Sequence, residues 1–268
     1  MNVASVAGEG RALVAIGDFL DSEPMNHHGA ATLLRCEEVE PAAMPKSTSK
    51  PMLSRLPEGM SAQLFARAKT CHLNAGDTLF SAGDACDGCY RLEQGLLKVV
   101  ITSHWGEDRI LAILGPGEIA GELSIIDRQQ RSASVIAIKD CELSFISQKN
   151  FQGCTKQNPD IYRYLVNVLA SRLRETDQAV AADTFLTVKA RLARALLELS
   201  EYLGESSDAR RVLIQHKISQ KDLAAMAGVA REGVSRALSE WKQRDLVTRS
   251  SGFYCLNDIT ALKRYSVS

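Results

Sequence analysis

The sequence predicts an α+β chain in three parts. These are an antiparallel β-sandwich or barrel of about a hundred residues, one long helix, and a C-terminal unit of two short helices followed by a hairpin. Three observations carry this. Between residues 53 and 157, strand-length apolar runs ("LLKVVIT", "RILAIL", "ASVIAI", "ELSFIS") are cut by Gly-Asp and Gly-Pro pairs at about ten-residue intervals, the spacing of a sandwich or barrel. From Asn158 the apolar period switches to alternating steps of four and three. Beyond residue 187, "QKDLAAMAGVAREGVSRALS" puts small residues where two crossing helices need them.

The chain has 268 residues, 45% hydrophobic and 24% charged, enough for two cores. No apolar run reaches the roughly 20 residues that cross a bilayer, and "RALVAIGDFL" (11–20) lies between acids without a small-residue cleavage site, so a cytoplasmic protein without a membrane partner is expected. Seven cysteines, odd in number and scattered, imply reduced thiols rather than a disulfide framework. The net charge of zero hides an asymmetry. From residue 187 onward there are 14 Lys and Arg against 9 Asp and Glu, so the C-terminal part is basic and the rest acidic, the electrostatic footprint of a nucleic-acid module.

Residues 1–52, rich in Ala, Gly, Ser, Pro, Glu and Met, sustain neither period and are expected to be a disordered leader. Met25, Met44 and Met52 are alternative starts. Residues 53–157 form the β unit, and 158–186 the long helix. Asn158 is its expected N-cap, Pro159 takes the first helical position, and Asp160 lies in the first turn. Tyr162, Val166, Leu169, Leu173, Thr176 and Val180 draw an apolar seam along it with one polar intrusion, Thr176. Such a seam covers either the chain's own sandwich or a second copy of the helix.

Residues 187–268 are expected to hold a helix at about 187–203, a Gly-Ser-rich loop at 204–208, two short helices and a wing-like hairpin closed by "SSG". Counting from Gln220, Ala224 is small where the two helices cross, Gly228 ends the first helix in the left-handed conformation, and Val234 pins the second to the core. That is helix-turn-helix spacing. Arg231, Glu232, Ser235 and Arg236 stand at the start of the second helix, where side chains reach base edges. Arginine pairs bidentately with guanine, and glutamate accepts from the cytosine amino group. Gln220 and Lys221 are further DNA-binding candidates, and Arg210, Arg211, Lys217, Lys221, Lys242, Arg244 and Arg249 make the surroundings basic.

One further stretch, "GELSIIDRQQRSAS" (121–134), raises a choice. Gly121 with the amides near Leu123 can donate to a phosphate, Arg131 and Ser132 can bind it, and Glu122 can accept from a sugar hydroxyl. On residue chemistry alone, Glu122 with Arg131 is more often a structural ion pair than a ligand site.

The stretch resembles the phosphate-binding cassette of cyclic-nucleotide-binding domains. The order β-roll, long helix, winged helix-turn-helix resembles the Crp/Fnr family of bacterial transcription regulators over residues 53–265, and "REGVSR" is similar to the recognition helix of its cyclic-AMP receptor branch. The resemblance implies a cyclic nucleotide effector, cyclic AMP or cyclic GMP, and no metal. Glu122 would bind the ribose hydroxyl, and Arg131 and Ser132 the cyclic phosphate with amides near Gly121 and Leu123. Arg172 would face the phosphate, and Thr176 the purine edge from within the seam. It further implies a homodimer on a pseudo-palindromic site in double-stranded DNA, with RNA polymerase as a partner if the protein activates. The cassette loop is one residue shorter than in that branch, matching the eukaryotic kinase type. Asp177 stands where the branch has a serine contributed across the dimer. An aspartate can accept from adenine or from guanine, so the base preference stays open.

Two other readings compete. A Crp/Fnr-type regulator can be ligand-independent, or can sense redox state through cysteines such as Cys86 and Cys89, a lone C-x-x-C. A cyclic-nucleotide-binding regulatory protein that does not act on DNA is the other, against which the winged helix-turn-helix argues. No catalytic constellation is visible.

Overall fold

The computed structural model describes residues 57–206 and 210–267; the expected leader, residues 1–52, lies outside them. The elements run α1 (Glu58–Phe65), β1 (Lys69–Leu73), β2 (Thr78–Phe80), β3 (Gly88–Gln94), β4 (Leu97–Thr102), β5 (Asp108–Leu114), β6 (Ile119–Ala120), α2 (Glu122–Asp127), β7 (Ser134–Ala137), β8 (Cys141–Ser147) and α3 (Gln148–Gln157). They continue with α4 (Asp160–Phe185), α5 (Val188–Leu203), β9 (Gly204–Ser206), β10 (Val212–Ile214), α6 (Gln220–Ala227), α7 (Arg231–Gln243), β11 (Val247–Ser250), β12 (Phe253–Leu256) and α8 (Ile259–Tyr265).

The first eight strands form two antiparallel sheets, ordered β1-β8-β3-β6 and β2-β7-β4-β5. The four runs read as strands are β4, β5, β7 and β8. Their β-branched residues suit the pleated, half-buried surface, and Leu92, Leu97, Leu114, Val135 and Leu143 fill the space between the sheets. Each such side chain contributes about 2 kcal/mol relative to exposure. The sequence reading missed the helices at the edges of this unit, α1 and α3. Phe65 and Phe151 pack there with Ile146 and with Ile161 and Leu165 of α4. Ser147 caps α3 by accepting from the Asn150 amide.

α4 begins at Asp160, one residue later than expected. Asn158 closes α3 through its own amide, and its side-chain oxygen accepts from the Asp160 amide at 3.2 Å. The buried face of α4 is Ile161, Leu165, Val168 and Ser171. The seam lies on the other side: Tyr162, Val166, Leu173 and Val180 are 42%, 62%, 63% and 61% exposed. The chain's own sandwich therefore does not cover it.

α5 is capped by Thr187, whose hydroxyl accepts from the Ala190 amide. Leu192, Leu196 and Leu199 bury against Leu223, Val234, Trp241, Tyr254 and Leu256. The expected loop at 204–208 is a strand over Gly204–Ser206 instead, paired with β10; residues 207–209 lie outside the described residues. It completes the sheet β11-β12-β10-β9, whose β11–β12 hairpin is the wing. α8, unanticipated, adds Leu262 to the same core. Ala224 and Val234 are buried, and Gly228 has φ +62° as the turn requires. This unit rests on the β-roll: Leu96, Val100, Ile110 and Ile113 share one apolar cluster with it. Among the described residues no helix is long and apolar enough to cross a membrane.

Candidate functional site

A small cavity of ≈ 70 Å³ opens beside α2, lined by Phe80, Gly121, Glu122, Arg131, Ser132 and Arg172 among others. The structure thus brings together Gly121, Glu122, Leu123, Arg131, Ser132 and Arg172. It leaves Thr176 and Asp177 outside, exposed one turn further along α4, with the Thr176 hydroxyl donating to the Arg172 carbonyl at 2.9 Å. Leu123 and Ser132 are exposed at the rim. The volume is far below the roughly 300 Å³ that encloses a whole small-molecule ligand, so the cavity has room for one part of one.

Glu122 and Arg131 do not pair with each other, contrary to the ion-pair reading. Glu122 opens α2, with its side chain 2% exposed, and one carboxylate oxygen pairs with Arg172. Arg172 also donates to the Ile119 carbonyl at 2.7 Å, so α4 grips the strand end that precedes α2. Arg131, its side chain 1% exposed, turns toward the β3 edge instead: it donates to Asp87 Oδ1 at 2.7 Å and to the Gly88 carbonyl at 2.8 Å. A third bond goes to the Gly121 carbonyl at 2.9 Å, and the guanidinium lies 4.2 Å from the centroid of the Phe80 ring. Gly121 is required twice over. Its φ is +83°, and a Cβ there would meet the Arg131 guanidinium.

Two polar atoms of the lining residues stay unpaired among the described residues. Arg131 Nε and Glu122 Oε2 are both buried without a partner. One is a donor on a cation and the other an acceptor on an anion. Leaving either unmade costs about 1–3 kcal/mol or more.

The sequence reading missed Asp87, Gly88 and Phe80. The available signal was an Asp-Gly step between Cys86 and Cys89, but nothing local tied it to an arginine 44 residues away. Cys89 is buried, and that burial, followed by the nearby Glu122 carboxylate, pushes its thiol well above the ordinary range.

At the other end, Arg231, Glu232, Ser235 and Arg236 are all exposed on the first turns of α7, opposite the buried Val234, Ala237, Leu238 and Trp241. Arg231, Glu232 and Arg236 have no side-chain partner among the described residues. Gln220 is half-buried at the start of α6, and Lys221 pairs with Asp108 of β5 at 3.3 Å while remaining mostly exposed.

Comparison with known proteins bears on both ends. The model of the cyclic nucleotide-binding domain matches residues 70–158, which include the cassette, and that of the Crp-like helix-turn-helix domain matches residues 190–265. The cyclic AMP receptor protein of Thermus thermophilus is 35% identical over 178 residues, covering 66% of this chain and 78% of that one. The chain belongs to the Crp/Fnr family. Other relatives in that family agree. The CRP-like cAMP-activated global transcriptional regulator of Mycobacterium tuberculosis is 29% identical over 70% of this chain and 84% of its own. A solved CRP/FNR-family transcriptional regulator from Thermus thermophilus superposes with a TM-score of 0.65 at 26% identity, covering 75% of this chain and 99% of its own. The c-di-GMP responsive global regulator of Xanthomonas campestris shares the fold, with a TM-score of 0.66 at 23% identity, 75% of this chain and 99% of its own. The protein is accordingly a CRP-like transcriptional regulator with a cyclic nucleotide-binding domain and a helix-turn-helix domain, and not an enzyme.

Proposed function

We propose that this regulator is controlled by cyclic AMP or cyclic GMP bound between the cassette and α4, and that it reads a pseudo-palindromic DNA site as a homodimer. The observation that carries the reading is that two residues lining one cavity each hold a buried atom without a partner among the described residues, Arg131 Nε and Glu122 Oε2. A cyclic phosphate supplies the acceptor that one lacks, and a ribose hydroxyl supplies the donor that the other lacks. Ser132 and the amides near Gly121 and Leu123 complete the phosphate contacts, and Arg172 holds the cassette to α4. In this reading the phosphate and sugar occupy the cavity and the base lies outward, toward Thr176 and Asp177 one turn further along α4. The relatives named for cyclic AMP support this nucleotide; Asp177, able to accept from adenine or guanine, leaves cyclic GMP as the other candidate.

The division of labour that follows is a β-roll at 53–157, a dimer helix at 158–186 and a DNA-binding unit at 187–268. The exposed seam on α4 supports self-association, because four large apolar side chains on one helix face need a partner. Ligand contacts that differ between two dimer arrangements shift the population toward the one that sets the α7 helices one DNA turn apart. There Arg231, Glu232, Ser235 and Arg236 read bases while Gln220 and Lys221 meet phosphates. RNA polymerase is the further partner if the protein activates.

Calorimetric titration with cyclic AMP and with cyclic GMP, alongside Arg131→Ala, tests this. Binding of one nucleotide that the variant loses is expected. No heat with either nucleotide would instead favour ligand-independent regulation.

A further inference from the structure

At the C-terminal end of α4 lies a polar joint that the site described above does not use. Asp183, in the last turn of α4, accepts from two arginines at once. Arg109 of β5 donates through Nη2 at 3.1 and 3.2 Å, and Arg191 of α5 donates through Nη1 at 3.1 Å. The same Arg191 nitrogen also donates to the Gly228 carbonyl at 3.0 Å. Gly228 is the left-handed residue of the turn between α6 and α7, three residues before the recognition helix begins. The Arg109 guanidinium lies against the open face of that glycine, where any Cβ would collide with it. One carboxylate therefore ties the β-roll, the end of α4, α5 and the turn that launches α7.

The arginines are committed to this place. Their side chains are 25% and 17% exposed, and Arg109 Nη1 and Arg191 Nε are buried without partners. Two further pairs flank the joint, Lys98 with Asp222 at 3.0 Å and Lys221 with Asp108 at 3.3 Å, both between the β4–β5 hairpin and α6. α4 runs as one helix from Arg172, which grips the cassette, to Asp183. That is eleven residues or three turns, about 16 Å at 1.5 Å per residue. A shift of the cassette along that rod reaches Asp183 without passing through a flexible segment.

We propose that Arg109 and Asp183 are positioning residues for the recognition helix: they convert the placement of α4 against the β-roll into the orientation of α7. Arg109 does not line the cavity. It acts through the Gly228 turn, and Asp183 acts through both arginines. The proposal rests on the reading that a cyclic nucleotide bound at Arg172 and Glu122 controls DNA binding. An ion pair shared by three elements has the property such a joint needs, because its geometry is satisfied in one arrangement of α4, β5 and the α6–α7 turn and broken when one of them moves.

The test uses the full chain and a fluorescent duplex that the wild-type protein selects from a random-sequence pool. Its dissociation constant is measured with and without saturating cyclic AMP for wild type, Asp183→Asn, Arg109→Met and Arg109→Lys. Asp183→Asn and Arg109→Met are expected to bring the nucleotide-induced change in DNA affinity to within about twofold of none. Cyclic AMP binding without DNA should stay within about twofold of wild type, and Arg109→Lys should recover part of the coupling. A merely structural role would instead weaken nucleotide binding, DNA binding and melting together. Wild-type coupling in Asp183→Asn and Arg109→Met overturns the proposal. If wild type ignores cyclic AMP and, in the same assay, cyclic GMP, the nucleotide reading has failed and the joint is judged without ligand. Selective loss of the chosen duplex over a random one by Asp183→Asn then upholds it, and unchanged preference overturns it.

Discussion

Replacing Arg172 by Met would remove the only side-chain partner of the Glu122 carboxylate among the described residues. Glu122 is 2% exposed and Arg172 26%, so the two halves of the pair are not equivalent. A carboxylate stranded in the cassette cannot recover its water, and breaking a buried pair from that side costs about 3–5 kcal/mol. That is a large share of the roughly 5–15 kcal/mol that holds a domain folded. The reverse change, Glu122→Gln, leaves an arginine that still donates to Ile119 and is a quarter open to solvent; its cost is about 1–2 kcal/mol. The double variant carries no stranded charge and should be less unstable than the sum, by about 1–3 kcal/mol. Urea unfolding of all four proteins at neutral pH, followed by circular dichroism, reads this cycle. Additivity within about 0.5 kcal/mol would refute the account of Glu122 as a charge held in place by α4.

Arg131→Ala should weaken cyclic nucleotide binding at least about tenfold, since one charge-assisted bond to phosphate is worth about 1.5–3 kcal/mol; unchanged affinity by calorimetry would remove Arg131 from the site. Arg231→Ala and Arg236→Ala should each cost about 1–3 kcal/mol of DNA affinity and relax base preference, whereas Lys217→Ala should weaken all sequences alike. Selection from random pools with each variant separates the two behaviours, and equal loss on chosen and random duplexes for the arginines would contradict their assignment. Burial pushes the Asp222 carboxyl up, but hydrogen bonds from Ser219 and Lys98 outweigh this and hold it below the usual range. Because its folded value is depressed, its stabilisation is present at neutral pH and fades as pH falls through that value. With the side chain 39% exposed, it amounts to less than about 1 kcal/mol. The melting difference between wild type and Asp222→Asn should therefore be larger at pH 7 than at pH 3, and an equal difference at both would exclude the effect.

The strands of the β-roll, the long helix and the helix-turn-helix were legible because each depends on local pattern: β-branched runs between turns, a three-four period, and small residues at Ala224 and Gly228. The short helices α1 and α3 were not. Their apolar residues, such as Phe65 and Phe151, are stabilised by contacts with each other's surroundings and with Ile161 and Leu165, far along the chain. β9 was read as a loop because Gly204–Ser206 has no strand propensity of its own, and its pairing with β10 decides the conformation. The cassette residues were legible as a set, but their pairing was not. Arg131 could have met Glu122, nine residues away, and instead meets Asp87, because the fold brings the β3 edge under Gly121. The joint at Asp183 was invisible for the same reason, since Arg109 and Asp183 lie 74 residues apart.

The central claim is that nucleotide binding in the cassette and DNA binding at α7 are one linked equilibrium. The direct measurement is the affinity of the full chain for its selected duplex across a titration of cyclic AMP, repeated with cyclic GMP. One nucleotide should tighten DNA binding at least about fivefold, and DNA should tighten nucleotide binding by the same factor. A DNA affinity that stays flat across both titrations, in a protein that still binds its duplex, would contradict it.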